Sequence, residues 1–287
     1  MKEMLFKNGV DKALTFSYDD GLPTDIRLAG IFDRNGLKAT FNINSGLSAC
    51  AEGVPLPETL TKSNMWTRTS LTALKETFAN SSHEIALHGT KHYHPEELDE
   101  KGAEEEFASD KAALEQVFGK VVRGCAYAFG TYGDAARNEL RKLGIHYART
   151  VKSTLSFDIP KDFLALEPTC HHSNKGLNGD ITLDELADKF LADTSGKAKL
   201  FYVWGHSCEF EVFDEWDIIE SFAERMGGRD DIWYATNIEI IEYVEAYRRL
   251  EFSLDEKLVY NPSAQSIWLR TESGTVEAKP GKHTKLG

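Results

Sequence analysis

Five side chains in this sequence are of the types that activate water and move protons. Asp19 and Asp20 stand together in TFSYDDG, residues 15–21. His88 and His92 are four apart in EIALHGTKH, and His206 ends the apolar run LFYVWGH. Two adjacent carboxylates can divide labour, one ligating a metal while the other stays free as a base. Two imidazoles and one carboxylate leave a fourth position open, the pattern of a hydrolytic zinc site. The spacing of four predicts that His88 and His92 share one side of a helical turn. His83 and Glu84 do not extend the set. The zinc-protease helix needs a histidine four after the first, and that position is Leu87. His94 precedes Pro95 at the start of a charged helix, which predicts an exposed, non-ligating ring. His83 is expected to make a structural hydrogen bond beneath the site.

The elements that carry these residues alternate. Short apolar, β-rich runs at 13–18, 39–43, 84–87, 124–127, 146–148, 164–166, 200–204 and 232–235 are separated by helical patterns. The helices are predicted at 24–35, 70–80, 99–118, 134–143, 182–193, 216–226 and 238–249, with Gly36, Gly119 and Gly144 as stops. Such alternation implies an α/β fold with a mainly parallel sheet or barrel. Asp19 and Asp20 follow the first strand, His88 the third, Arg149 the fifth and His206 the seventh. His171 and His172 come shortly after the sixth. In a parallel barrel the carboxyl ends of the strands open on one face, where sites are built. Trp204 and Trp66 could stack on a sugar, and His171 could contact substrate. Composition changes near Glu251. Residues 1–250 read as the main barrel and 251–287 as a small β-rich appendage with turns at Asn261-Pro262, Ser273-Gly274 and Pro280-Gly281.

Charge narrows the partners. Thirty-three Lys and Arg against 46 Asp and Glu give a formal charge of −13, which repels phosphate backbones and argues against nucleic acid. No long basic block suits an anionic membrane surface, and no window approaches the ~18 apolar residues of a membrane span. Cys50, Cys125, Cys170 and Cys208 are scattered without paired zinc spacing, as expected of free thiols in a reducing compartment. The first residues lack an apolar signal core, so a cytoplasmic location is expected.

Four segments carry a specific resemblance. TFSYDDG resembles the first motif of the polysaccharide deacetylases that share the NodB homology domain, a family of metal-dependent carbohydrate esterases. EIALHGTKH resembles the second motif, AYAFGTY (126–132) the third, and FYVWGHS the last, in the correct order over about residues 10–245. The resemblance implies a distorted (β/α) barrel of about seven parallel strands, one fewer than the eight runs counted above. It implies that Asp20, His88 and His92 ligate a divalent metal. Zinc is expected; cobalt, nickel or iron(II) also suit two imidazoles and one carboxylate. It further implies Asp19 as general base, His206 as general acid and a backbone N–H near Phe129 facing the oxyanion. The implied substrate is an N-acetylated amino sugar or other acetylated saccharide.

The sequence departs from the family in places. Ala126 stands where the family carries an arginine, and Tyr127 and Ala128 replace prolines. The Asp and Trp pair that tunes the catalytic histidine is not evident. Arg149 emerges at the carboxyl end of its strand, on the face of Asp19, whereas Arg123 lies at the amino end of its own. Arg149 is therefore expected to bond Asp19 or to contact substrate beside it. Two other functions compete: a cyclic amide or imide hydrolase on the same fold, and a carbohydrate-binding protein on a decayed enzyme scaffold. Retention of both aspartates and three site histidines argues against the second.

Overall fold

The computed structural model describes residues 2–173 and 177–287. Its strands are β1 (Glu3–Leu5), β2 (Lys12–Asp19), β3 (Ala39–Ile43), β4 (Glu84–Leu87), β5 (Gly124–Ala126), β6 (Tyr147–Arg149), β7 (Cys170–His171), β8 (Leu177–Asp180), β9 (Lys199–Gly205) and β10 (Ile232–Tyr234). Five short strands follow: β11 (Glu251–Phe252), β12 (Leu258–Tyr260), β13 (Ile267–Thr271), β14 (Gly274–Ala278) and β15 (His283–Lys285). Seven parallel strands run in the order β6-β5-β4-β3-β2-β9-β7, and β10 adds in parallel to the amino-terminal half of β2. Helices surround the sheet, giving the expected distorted (β/α) barrel. Central β2 is buried along its whole length, as a strand covered on both faces must be.

One expected strand is corrected. Residues 164–166 do not form one; Phe163–Ala165 is a 3-10 turn, and Leu166 makes a single parallel bridge to Arg149. The sixth barrel strand is β7, two residues long, pairing with Val203 and Trp204 of β9. The intervening chain bonds β6 at one end, Leu166 N to Ala148 O, and β9 at the other, Thr169 N to Tyr202 O, both at 2.9 Å. The apolar run was legible, but it lies before the pairing strand rather than in it. His171 therefore sits in a strand, not after one.

The helices follow their sequence signals closely. Glu100–Phe118 starts behind an Asp99 cap and ends at Gly119, whose left-handed φ of 64° suits glycine. Leu183–Ala192 and Asn237–Arg248 both open with capping boxes, Thr182 with Glu185 and Thr236 with Glu239. The principal core lies between the sheet and these helices, with Phe16, Phe32, Phe41 and Phe201 at its centre. At the carboxyl-terminal end, β1-β13-β14 and β11-β12-β15 form two small antiparallel sheets. They cover Tyr243 and Val244 of the last helix, with Ile267 and Leu269 packed beneath.

Candidate metal and catalytic centre

Asp19 ends β2 and Asp20 begins the turn beyond it. Asp20 adopts φ 87° and Gly21 φ 65°, so the chain reverses sharply at the barrel mouth. Aspartate tolerates this region better than most side chains, and glycine enters it freely. The turn is pinned when the Asp20 N–H donates to Asn42 O at 2.9 Å. Asp25 braces it from below. Its carboxylate accepts from Leu22 N at 2.8 Å and from Ser207 Oγ at 2.5 Å, joining the loops after β2 and β9.

His88 follows β4, but His88 and His92 do not share a helical turn. Gly89 has φ 82° and His92 φ 59°, so the segment is an irregular loop. Two buried carboxylates, one turn apart on the long helix Glu100–Phe118, shape it. Asp110 accepts from Ser45 N, His88 N and Gly89 N at 2.9–3.1 Å. Glu106 accepts from Lys91 N at 3.0 Å and Tyr93 N at 3.2 Å. A Cβ at Gly89 would fall 2.4 Å from Glu106 Oε1. The four-residue spacing works through a loop wrapped on a helix, not through a helix of its own.

The three expected ligands converge. Asp20 Oδ1 lies 3.6 Å from His88 Nε2 and 3.7 Å from His92 Nε2. Donors bound to one tetrahedral ion at ~2.0–2.2 Å stand a little over 3 Å apart, so the set fits a divalent metal. The tautomer fits as well. His88 Nδ1 lies 2.9 Å from Ala126 O, so a neutral ring donates there and turns its Nε2 lone pair toward Asp20. Burial, with His88 beside it, lowers the His92 pKa to about 4, which favours the uncharged form a metal requires. His94 stands apart. Its ring stacks on Phe129 at 3.8 Å between centroids, and its Nδ1 faces Glu96. His83 accepts from Ala39 N at 3.1 Å beneath the sheet.

Asp19 is held from both sides. Asn42 Nδ2 donates to Oδ1 at 2.8 Å, and Arg149 Nη2 donates to Oδ2. Arg149 is fully buried, and its guanidinium lies 4.6 Å from the Trp204 ring centroid. Arg123 points elsewhere, to Glu242 on the last helix. Burial alone would raise the Asp19 pKa. Arg149 most of all, then His88 and His206, outweigh it and hold the carboxyl at about 2.

His206 Nε2 lies 4.0 Å from Asp19 Oδ2, and its Nδ1 faces Glu209 Oε1 at 3.5 Å. Burial would lower the His206 pKa. Glu209 above all, then Asp20 and Asp19, overcome it and raise it to about 9. Glu209 also meets His172 Nε2 at 2.9 Å and His171 Nε2 at 3.2 Å. Those imidazoles hold its carboxyl far below the usual range against the opposing effect of burial. This second His-His-Glu group has the spacing of a metal site, but one proton argues otherwise. Ser173 N donates to His171 Nδ1 at 3.0 Å. With Nδ1 accepting, a neutral ring has its proton on Nε2, the atom that faces Glu209 Oε2 at 3.2 Å. The group reads as a carboxylate hub behind His206.

A cavity of about 520 Å³ opens over the centre. Asp19, Asp20, His88, His92 and His206 form its floor; Trp66, Arg68, Phe129 and Val151 form its walls. Phe129 is half exposed in a tight turn with φ 57°. Trp204 reaches the cavity but is largely buried; the exposed ring is Trp66, whose edge meets His206 at 5.0 Å. His171 is buried against Glu209 and does not line the cavity, so the expected substrate contact is replaced by a supporting position. Asn42, Arg68 and Glu209 escaped the sequence reading. Glu209 alone left a trace, three residues after His206 on one helical turn, in HSCE.

Comparison with known proteins agrees with this architecture. Residues 7–148 match the sequence model described as polysaccharide deacetylase. No curated protein matches the sequence. A Mycobacterium smegmatis structure assigned as a polysaccharide deacetylase superposes with a TM-score of 0.58 at 17% identity, over 86% of this chain and 94% of that one. A family 4 carbohydrate esterase from Streptomyces lividans in complex with acetate gives 0.47 at 14% identity, over 75% and 86%. A family 4 pseudoenzyme from Bacillus anthracis gives 0.49 at 12% identity, over 83% and 68%.

Proposed function

The chain belongs to the polysaccharide deacetylase family, and from that premise we propose that it removes acetyl groups from an N-acetylated amino sugar or another acetylated saccharide by metal-assisted hydrolysis. The observation that carries this reading is the convergence of Asp20, His88 and His92 beside an Asp19 held ionised by Arg149. A divalent metal on those three residues, zinc by the donor set, would polarise an acyl oxygen and acidify a water.

The remaining work falls to this chain's own groups. Asp19 Oδ2 accepts the proton of the attacking water; Arg149 and Asn42 fix the carboxylate so that no reorientation precedes the transfer. His206, protonated and backed by Glu209, gives its Nε2 proton to the departing amine or hydroxyl. The Phe129 turn borders the place where negative charge develops, and a backbone N–H there would stabilise it. Trp66 offers an exposed face for a sugar ring.

The test is acetate release from N-acetylated and O-acetylated glycans, with and without a chelator, alongside a panel of cyclic ureides and imides. Chelator-sensitive acetate release supports the reading. Turnover confined to the cyclic compounds would move the chain to amide-ring hydrolysis, and sugar binding without turnover in metal-loaded protein would make it a binding protein.

A further inference from the structure

Resting on the deacetylase reading above, we infer that the substrate carries an anionic group, a carboxylate or a phosphate or sulfate ester, bound by Arg68 beside the scissile acyl group. Arg68 lies in the long segment between β3 and β4 and lines the cavity next to Asp20. Its Nη2 donates to Asp20 Oδ1 at 2.7 Å and its Nη1 to Trp66 O at 2.6 Å. Its Nε–H is buried without a hydrogen-bond partner. A guanidinium has five N–H donors in a planar fork, so these two bonds leave donors unused and hold the plane fixed.

Charge matching supplies the second part of the argument. Asp19 is paired with Arg149 and Asp20 with Arg68. The only other titratable side chains among the described cavity-lining residues are the imidazoles of His88, His92 and His206. Glu209, behind His206, is already shared among three imidazoles. A divalent cation held by Asp20, His88 and His92 therefore adds two positive charges with no unmatched carboxylate facing them. Uncompensated charge in a largely buried site is costly, so the site favours ligands that bring negative charge. A hydroxide can supply one charge and a substrate anion the other. The chain as a whole carries −13, so this preference is local to the cavity. Trp66 adds the sugar contact. Its exposed ring and the carbonyl that orients Arg68 belong to one residue, so ring stacking and anion binding would be coupled.

Four probes share one core: N-acetylglucosamine, N-acetylmuramic acid with its carboxylate, N-acetylglucosamine 6-phosphate and the 6-sulfate. Zinc-loaded protein should deacetylate at least one anionic member with kcat/KM about tenfold or more above the neutral sugar, and Arg68→Gln should bring that ratio to within about twofold. Arg68→Lys should keep most of the preference. The carboxylate and phosphate arms separate the two sources of anion. Calorimetric binding of the same probes to Asp19→Asn, with and without Arg68→Gln, reads the preference independently of turnover. Failure to hydrolyse any probe or 4-nitrophenyl acetate would sink the deacetylase reading while the calorimetry still decides the anion. Equal or weaker binding and turnover of the anionic sugars, or a ratio unmoved by Arg68→Gln, would overturn the inference.

Discussion

Arg149 and Asp19 lie on strands separated by three others in the sheet, yet their side chains meet. Arg149 ends β6, Asp19 ends β2, and β5, β4 and β3 run between them. The sheet curls so that both carboxyl ends face one interior, and the long arginine crosses it beneath Trp204 to donate to Asp19. Ala126, in the position where the family carries its arginine, is a fully buried small residue on β5. The charge that holds Asp19 ionised thus comes from the neighbouring strand.

Arg149→Ala should lower kcat about 10²-fold, because a loosely held base spends less time aligned with its water. Stability should fall too, by about 3–5 kcal/mol, since removing one partner of a buried ion pair leaves the other uncompensated. The pH dependence has a definite sign. Asp19 is depressed from 3.8 to about 2, so its contribution is full above pH 3.8 and is lost as pH falls through 2. The variant should lack that acid limb. Thermal melts from pH 2 to 6 and steady-state kinetics check both effects; an unchanged kcat would remove Arg149 from the mechanism.

Metal content should separate the histidines. After mild dialysis, His88→Ala, His92→Ala and Asp20→Asn should lose most bound zinc, because each removes one of the three proposed ligands. His94→Ala should retain it, since that ring stacks on Phe129 away from Asp20. Asp19→Asn should keep the metal and lose nearly all turnover, as an amide cannot accept the proton. Equal metal loss in all three histidine variants would mean the ligand set is misassigned.

Much of this was legible in the sequence because barrels impose a simple rule: residues at or just past the carboxyl ends of strands reach one face. Asp19, Asp20, His88, Arg149 and His206 obey it. His171 did not read correctly because its strand is only two residues long, and the longer apolar run before it is a turn. Arg68 lay beyond the rule altogether. It comes from an irregular segment whose path depends on tertiary contacts such as Thr69 N to Gly21 O at 2.9 Å, and no periodicity marks such a path. Asn42 was hidden differently: it sits inside an apolar strand, where a polar residue facing the barrel interior looks the same as one facing elsewhere.

Gly205 should not tolerate a side chain. A Cβ there would fall 1.9 Å from His172 Nδ1 and 2.3 Å from its Cε1. His172 cannot retreat easily, because it stacks on Phe210 at 4.1 Å between centroids and faces Tyr18 at 5.6 Å. Gly205→Ala should destabilise by about 1–3 kcal/mol through overpacking. It should also reduce kcat more than it changes metal content, since the displaced ring pushes on Glu209 and not on the ligands. Thermal melts, metal analysis and kinetics on one preparation test the separation; a loss of metal equal to the loss of kcat would contradict it.

Glu209→Gln tests the carboxylate behind His206, the proposed acid. His206 has its folded-state pKa raised from 6.5 to about 9, chiefly by Glu209 against the opposing effect of burial. A raised histidine contributes stability that is full below pH 6.5 and is lost as pH rises through 9. Chelator-treated parent protein should therefore lose on the order of 2 kcal/mol across that window relative to the variant. Glutamine keeps the shape and one acceptor but removes the charge, so the sloping limb between pH 6.5 and 9 should flatten. In the metal-loaded enzyme the alkaline limb of kcat should move to lower pH, because the acid form of His206 is no longer favoured. The loss should be larger for poor leaving groups, which need the proton most. A parental pH profile in Glu209→Gln, with correct folding shown by an unchanged melt at pH 9, would mean that Glu209 packs His171 and His172 without acting on His206.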